Sequence, residues 1–162
     1  MPPNATKRVE ALVSRINSIA TDGVQVYWYG PTPLNRIRQA EKLLGITLPK
    51  SYRHFVETVG GGGIDSFSIL GIPAKGNIRH SGSLIGLTEY WREDHVPFPL
   101  PSNLVLIQHC EDHNEPFCLD FSRYKQGECP VVLYYPNSRS GKLDDVAPTF
   151  IDFWERYCEP YF

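Results

Sequence analysis

No stretch of this chain approaches the roughly 20 consecutive apolar residues that a membrane-spanning helix needs. A membrane partner is therefore not expected. An excess of charge of one sign is also missing. Sixteen Lys and Arg against 18 Asp and Glu leave a formal net charge of −2. Nucleic-acid binders use a basic surface to displace counterions from phosphates, so no direct nucleic-acid partner is expected. Cysteine is sparse. Cys110, Cys118, Cys129 and Cys158 are the four, and no two stand in a Cys-x-x-Cys pair. Residues 1–20 have a polar, amphipathic pattern with no apolar core segment, which is unlike a secretory signal. Reduced thiols and a cytoplasmic location are the expectation.

Signatures of chemistry are missing as well. The run His109-Cys110-Glu111-Asp112-His113 holds zinc-capable side chains, but not at the paired spacings of common zinc sites. No metal and no cofactor are expected. The five histidines are His54, His80, His95, His109 and His113. Nothing in their order selects a triad with a cysteine, and no nucleophile-elbow motif is present. The four-glycine run Gly60 to Gly63 follows a helical pattern. Phosphate loops instead precede a helix N-terminus, and no Gly-Lys-Ser follows here. No catalytic residue is assigned, and the chain is not expected to be an enzyme.

What is present is a folded-protein composition. Hydrophobic residues at 41% and charged residues at 21% favour a packed core over disorder. A length of 162 residues fits one domain over 1–162. Fourteen prolines and 13 glycines predict short elements and many turns.

The pattern is densest over residues 39–71. A helix over 35–44 stops at Gly45, a natural left-handed cap. Pro49 cannot continue it, and its fixed dihedral suits entry to the next helix, where Ser51 caps or sits in the first turn. That helix, over 51–59, places Tyr52, Phe55, Val56 and Val59 on one face. The glycine run then breaks it and opens onto a strand over 67–70.

Elsewhere, Thr6 is expected to cap a helix over 6–20, with Val9, Leu12, Val13, Ile16 and Ile19 inward. Residues 24–29 read as a strand, being β-branched and aromatic. Residues 73–82 read as a polar loop and 88–93 as helix. Leu104 to His109 is a strand, 111–115 a polar hairpin loop and 116–120 the partner strand. Residues 122–128 form a loop, 131–135 a third strand and 137–145 a polar turn. A helix over 147–157 closes the chain. Strands in the middle with helices at both ends predict an α+β fold: a central antiparallel sheet, or a mixed one, flanked by helices.

The residues Glu41, Leu44-Gly45, Leu48-Pro49, Tyr52-Arg53, Phe55, the glycine run and Leu70-Gly71 together resemble the signature of the SUKH superfamily. Leu104 to Ile107, Phe117-Cys118-Leu119-Asp120, Cys129-Pro130-Val131-Val132 and Phe150-Ile151-Asp152-Phe153 follow in the matching order. That superfamily takes in Smi–Knr cell-wall-assembly regulators and many bacterial toxin-immunity proteins. The resemblance implies a non-enzymatic binding protein, with a cognate toxin, nucleases among them, as its protein partner. Its alternative is a regulatory scaffold that binds signalling partners. Regulators of that type carry long disordered flanks, which this sequence does not show, so the immunity reading is preferred.

Glu111, Asp112 and Glu115 cluster in one loop, and Asp144-Asp145 in another. Set against a basic groove, such carboxylates steer association and pair with Lys or Arg. The plainer reading is a solvated hairpin rim. Asp120 and Glu128 are further acidic residues expected beside the same sheet. The aromatics Tyr27, Trp28, Tyr29, Trp91, Tyr134 and Tyr135 serve equally as interface anchors or core.

Overall fold

The computed structural model describes residues 4–21, 23–93, 99–110, 113–136 and 141–162. Among the described residues the α-helices are α1 (Ala5–Ser18), α2 (Leu34–Leu44), α3 (Lys50–Val59), α4 (Leu84–Arg92) and α5 (Phe150–Cys158). The strands are β1 (Val26–Trp28), β2 (Gly62–Ile64), β3 (Phe67–Ile69), β4 (Leu104–Cys110), β5 (His113–Asp120), β6 (Val131–Tyr134) and β7 (Leu143–Ala147). The fold class is α+β, and the strands fall into two antiparallel sheets, β1-β2-β3 and β4-β5-β6-β7. The Leu70 N–H donates to the Ile107 carbonyl at 2.8 Å, joining the end of β3 to the edge of the second sheet.

Alternation along the first half of β4 explains why Leu104 to Ile107 are all apolar. Val105 and Ile107 enter the main core with Leu119, Val131 and the inward faces of α1, α3 and α5. Leu104 and Leu106 enter a second core with Cys118, Val132, Tyr134 and Trp91 of α4. Both faces of the sheet are covered there, so the successive residues Leu104 to Gln108 are all buried. The main core is aromatic at its centre. Phe55, Phe150 and Trp154 lie mutually in contact, with ring centroids 4.7–5.8 Å apart.

The helix ends differ in detail from the sequence expectation. Asn4, not Thr6, caps α1 by accepting from the Lys7 N–H at 2.9 Å, and the Thr6 hydroxyl donates to the same oxygen. Ser51 sits in the first turn of α3, and the cap there is remote. The Glu128 carboxylate accepts from both the N–H and the hydroxyl of Ser51, at 2.8 and 2.9 Å. The Thr149 hydroxyl caps α5 and donates to Asp152, a reciprocal arrangement that fixes its first turn. Residues 143–147, expected as turn and helix start, form edge strand β7.

The glycine run is not merely a break. Gly60 closes α3 with φ of 79°, and then Gly62 and Gly63 become strand β2 between β1 and β3. Three main chains meet here without intervening side chains. A Cβ on Gly60 would stand 1.8 Å from the Gly30 carbonyl oxygen, and a Cβ on Gly71 would stand 1.8 Å from the Gly60 oxygen. The Ile72 N–H donates to Gly60 and the Gly30 N–H to Val59, which holds the three segments together.

Gly71→Ala is expected to cost roughly 3 kcal/mol or more, because backbone must move to admit the methyl group. Gly45→Ala, with φ of 68° but open space around it, is expected to cost only about 1 kcal/mol. Urea unfolding of the two variants measures the gap, and equal midpoints would contradict the close approach.

Candidate functional site

Of the five acidic candidates, Glu111 and Asp112 lie outside the described residues. Glu115 is on β5, and Asp144 and Asp145 are neighbours on β7. All three are exposed. Successive residues of a strand face opposite ways, so the two aspartates serve different surroundings. Asp144 accepts from the Tyr135 hydroxyl at 2.5 Å. That bond raises the Tyr135 pKa, and the nearby charges of Asp144 and Glu115 add to the effect. Glu115 and Asp144 therefore share one neighbourhood around Tyr135. Lys142 stands there too, its ammonium 4.9 Å from the centre of the Tyr135 ring. Glu115 makes no ion pair among the described residues.

Asp145 belongs to a separate cluster. Arg123 holds it through both terminal nitrogens, at 2.6 and 3.1 Å, while the Arg123 Nε donates to Asp120 at 3.0 Å. Asp120 is buried and also accepts from Asn103, from the Ser122 N–H and from the Ser122 hydroxyl. Burial by itself raises the Asp120 carboxyl, but the bonds from Ser122, Asn103 and Arg123 outweigh it and hold the group below its ordinary range. Asp120 is thus an anchor for the turn after β5, and Glu128 is the cap of α3. Both are structural carboxylates rather than free surface charge. Burial raises the Glu128 carboxyl, partly offset by its bonds from Ser51.

The thiols do not assemble a reactive centre among the described residues. Cys118, Cys129 and Cys158 are free and buried. Burial pushes Cys129 and Cys158 up to about 12 and raises Cys118 as well. A protonated, enclosed thiol is a poor nucleophile. No group of three or more His, Cys, Asp or Glu able to hold a metal occurs among the described residues.

The aromatics divide cleanly. Trp91 and Tyr134 are core, and Trp28 packs edge-on to Trp154 at 6.2 Å. Tyr27 and Tyr29, on either side of Trp28, are 42% and 53% exposed, with ring centroids 5.9 Å apart. Their two-residue spacing is the signal of a shared outer face, legible once the strand is known. Tyr29 also borders a cleft formed with the segment between β3 and α4. Sequence reading missed this cleft, because Tyr29 and the segment from Gly71 to Ser83 that form its walls are far apart in the chain.

A family model described as SMI1-KNR4 cell-wall, SUKH_5, matches residues 10–159. The match spans both sheets and most of the helical layer, including every signature residue from Glu41 to Gly71. No helix among the described residues is long and apolar enough to cross a membrane.

The Asp120 cluster makes a signed pH prediction. Its pKa is lower folded than unfolded, so its stabilisation is present above the unfolded value of about 3.9 and is lost as pH falls through the folded value. Glu128, raised by burial, acts in the opposite sense and at higher pH, as pH rises through the interval above its unfolded value of about 4.3. Asp120→Asn is expected to cost about 1–3 kcal/mol at pH 6, and the deficit to shrink once pH drops below about 4. Urea unfolding at pH 6 and pH 3 reads it, and a deficit independent of pH would show that the Asp120 charge contributes nothing.

Proposed function

Since the chain belongs to the SMI1-KNR4 family of SUKH_5 proteins, we propose that it is an immunity protein. It binds a cognate bacterial toxin and neutralises it by covering the toxin's working surface. No chemistry by this chain is required. The observation that carries the reading is the family match over residues 10–159. The fold is in keeping with it. The signature residues are occupied in holding helices and sheets together, which leaves partner recognition to other surface residues.

The acidic residues Glu111, Asp112, Glu115, Asp144 and Asp145 are the proposed contact set. If the toxin is a nuclease, its substrate groove is basic, and carboxylates can occupy the places of phosphates. Glu115 and Asp144 around Tyr135 are the best placed for this role, since Asp145 already shares Arg123. A second reading is supported by the cell-wall wording of the family description. In it the same rigid domain binds signalling partners as a regulator of wall assembly. The chain acts inside the cell in either case.

Co-expression with the toxin domain encoded beside the gene tests the proposal. Restored growth together with a stable complex on pull-down is the expected result. Toxicity that persists without any complex would remove the immunity reading and favour the regulator. In the complex, Glu115→Lys combined with Asp144→Lys is expected to slow association at least about tenfold at low ionic strength, with a smaller effect at high salt. Unchanged association kinetics would take the acidic residues out of the interface.

A further inference from the structure

The cleft beside Tyr29 has a volume of about 580 Å³, within the range of roughly 300–1,000 Å³ usual for small-ligand pockets. It lies beside the first sheet, whereas Glu115 and Asp144 are on the second. Tyr29, Gly71, Pro73 and Ala74 give it apolar walls. The Tyr29 ring is exposed yet fixed. It lies across Gly61, where a Cβ would stand 2.5 Å from the ring, and its hydroxyl is 3.3 Å from the Ser68 Oγ. Only glycine at position 61 leaves the ring room to lie flat.

Among the polar side chains around the cleft, Lys75, Asn77 and His80 each offer a donor. Lys75 carries an ammonium group, which donates and cannot accept. It makes no ion pair among the described residues. Asn77 uses its Oδ1 to accept from the Arg79 N–H at 3.0 Å, which leaves its amide NH₂. His80 accepts from the Gly82 N–H at its Nδ1, at 3.0 Å. A neutral imidazole that accepts at Nδ1 carries its proton at Nε2, so that nitrogen donates. None of the described lining residues bears a carboxylate. Ser83, the N-cap of α4, also borders the cleft.

The frame around these groups is braced. Arg36 of α2 donates to the carbonyls of Pro73 and Gly76, at 2.8 and 2.9 Å. The Thr32 hydroxyl donates to Ile72 at 2.7 Å, and Ser83 Oγ lies 2.8 Å from the carbonyls of Ile78 and His80. The segment is therefore held in shape before any ligand arrives, which lowers the ordering cost of binding.

We propose that this cleft binds an organic carboxylate: an acceptor-only anionic head among Lys75, Asn77 and His80, joined to a flat apolar group against Tyr29. A cation and donors with no competing carboxylate select against neutral and basic ligands. The aromatic wall selects a planar body over a hydrated inorganic anion. The carboxylate can come on a free small molecule or at the C-terminus of a peptide.

Titration of the isotope-labelled full chain, followed by amide chemical shifts, tests the site with defined probes. Phenylacetate is expected to move the amides of Gly71, Gly82 and Ser83, and to bind at least tenfold more tightly than phenylacetamide. Lys75→Glu is expected to weaken phenylacetate at least tenfold. His80→Asn retains an acceptor for the Gly82 N–H but removes the Nε2 donor, and is expected to weaken it severalfold. Both variants alter exposed side chains and should unfold at the wild-type temperature. A Gly-Gly-Phe peptide with a free or amidated C-terminus separates the sources. Tighter binding of the free-acid peptide than of phenylacetate assigns the site to protein C-termini, and the reverse assigns it to free small molecules. No shifts with either acid, shifts confined to other regions, equal affinity for phenylacetamide, or indifference to Lys75→Glu would each overturn the proposal. Toxin neutralisation is not read in this experiment, so its outcome is independent of the immunity reading.

Discussion

The rest of the structure depends on a place where backbone touches backbone. Gly30, Gly60 and Gly71 bring three segments so close that no side chain fits between them. This contact ends α3, starts β2 and sets the loop that leads to α4. One residue before Gly71, the Leu70 peptide is held from both sides. Its N–H reaches Ile107 of the second sheet, and its carbonyl accepts from the buried Tyr52 hydroxyl at 2.7 Å. Tyr52 belongs to α3 and is wholly buried, so a single residue ties a helix and two sheets together. A methyl group at Gly71 would therefore disturb more than a turn.

The family signature takes on a physical meaning from these contacts. Glu41 does not face solvent as a functional acid. Its carboxylate accepts from the Leu48 N–H at 2.8 Å and closes the turn between α2 and α3. Gly45 supplies the left-handed end of α2, Leu48 is buried, and Pro49 begins α3. Arg53 lies between Glu41 and Glu57. Such residues identify a scaffold.

The parts legible in the sequence were those where local pattern and tertiary demand agree. The α3 face, the left-handed stop at Gly45 and the apolar β4 could be read because propensity and burial point the same way. β2 could not, since glycine disfavours strands and only pairing with β1 and β3 makes Gly62 and Gly63 extended. β7 was hidden by its two aspartates. As an edge strand it tolerates charge, and the charge guards its open side against pairing with another chain. The roles of Asp120 and Glu128 were out of reach for a different reason. Glu128 meets Ser51 across 77 positions of sequence, a distance no local window spans. The cleft was hidden likewise, since its walls and donors are contributed by Tyr29 just after β1, by Gly71 and by the segment before α4.

The first and last helices clasp each other. Arg8 of α1 grips Glu155 of α5 through two nitrogens and reaches Asp152 as well, joining residues 147 and 144 positions apart. Phe150, Phe153 and Trp154 fill the centre of the core beneath that clasp. During synthesis on a ribosome, α1 is made first and waits for α5 with its apolar face uncovered. The hydrophobic centre stays incomplete until the last helix clears the exit tunnel, so the late-arriving aromatics set when the chain becomes safe from aggregation.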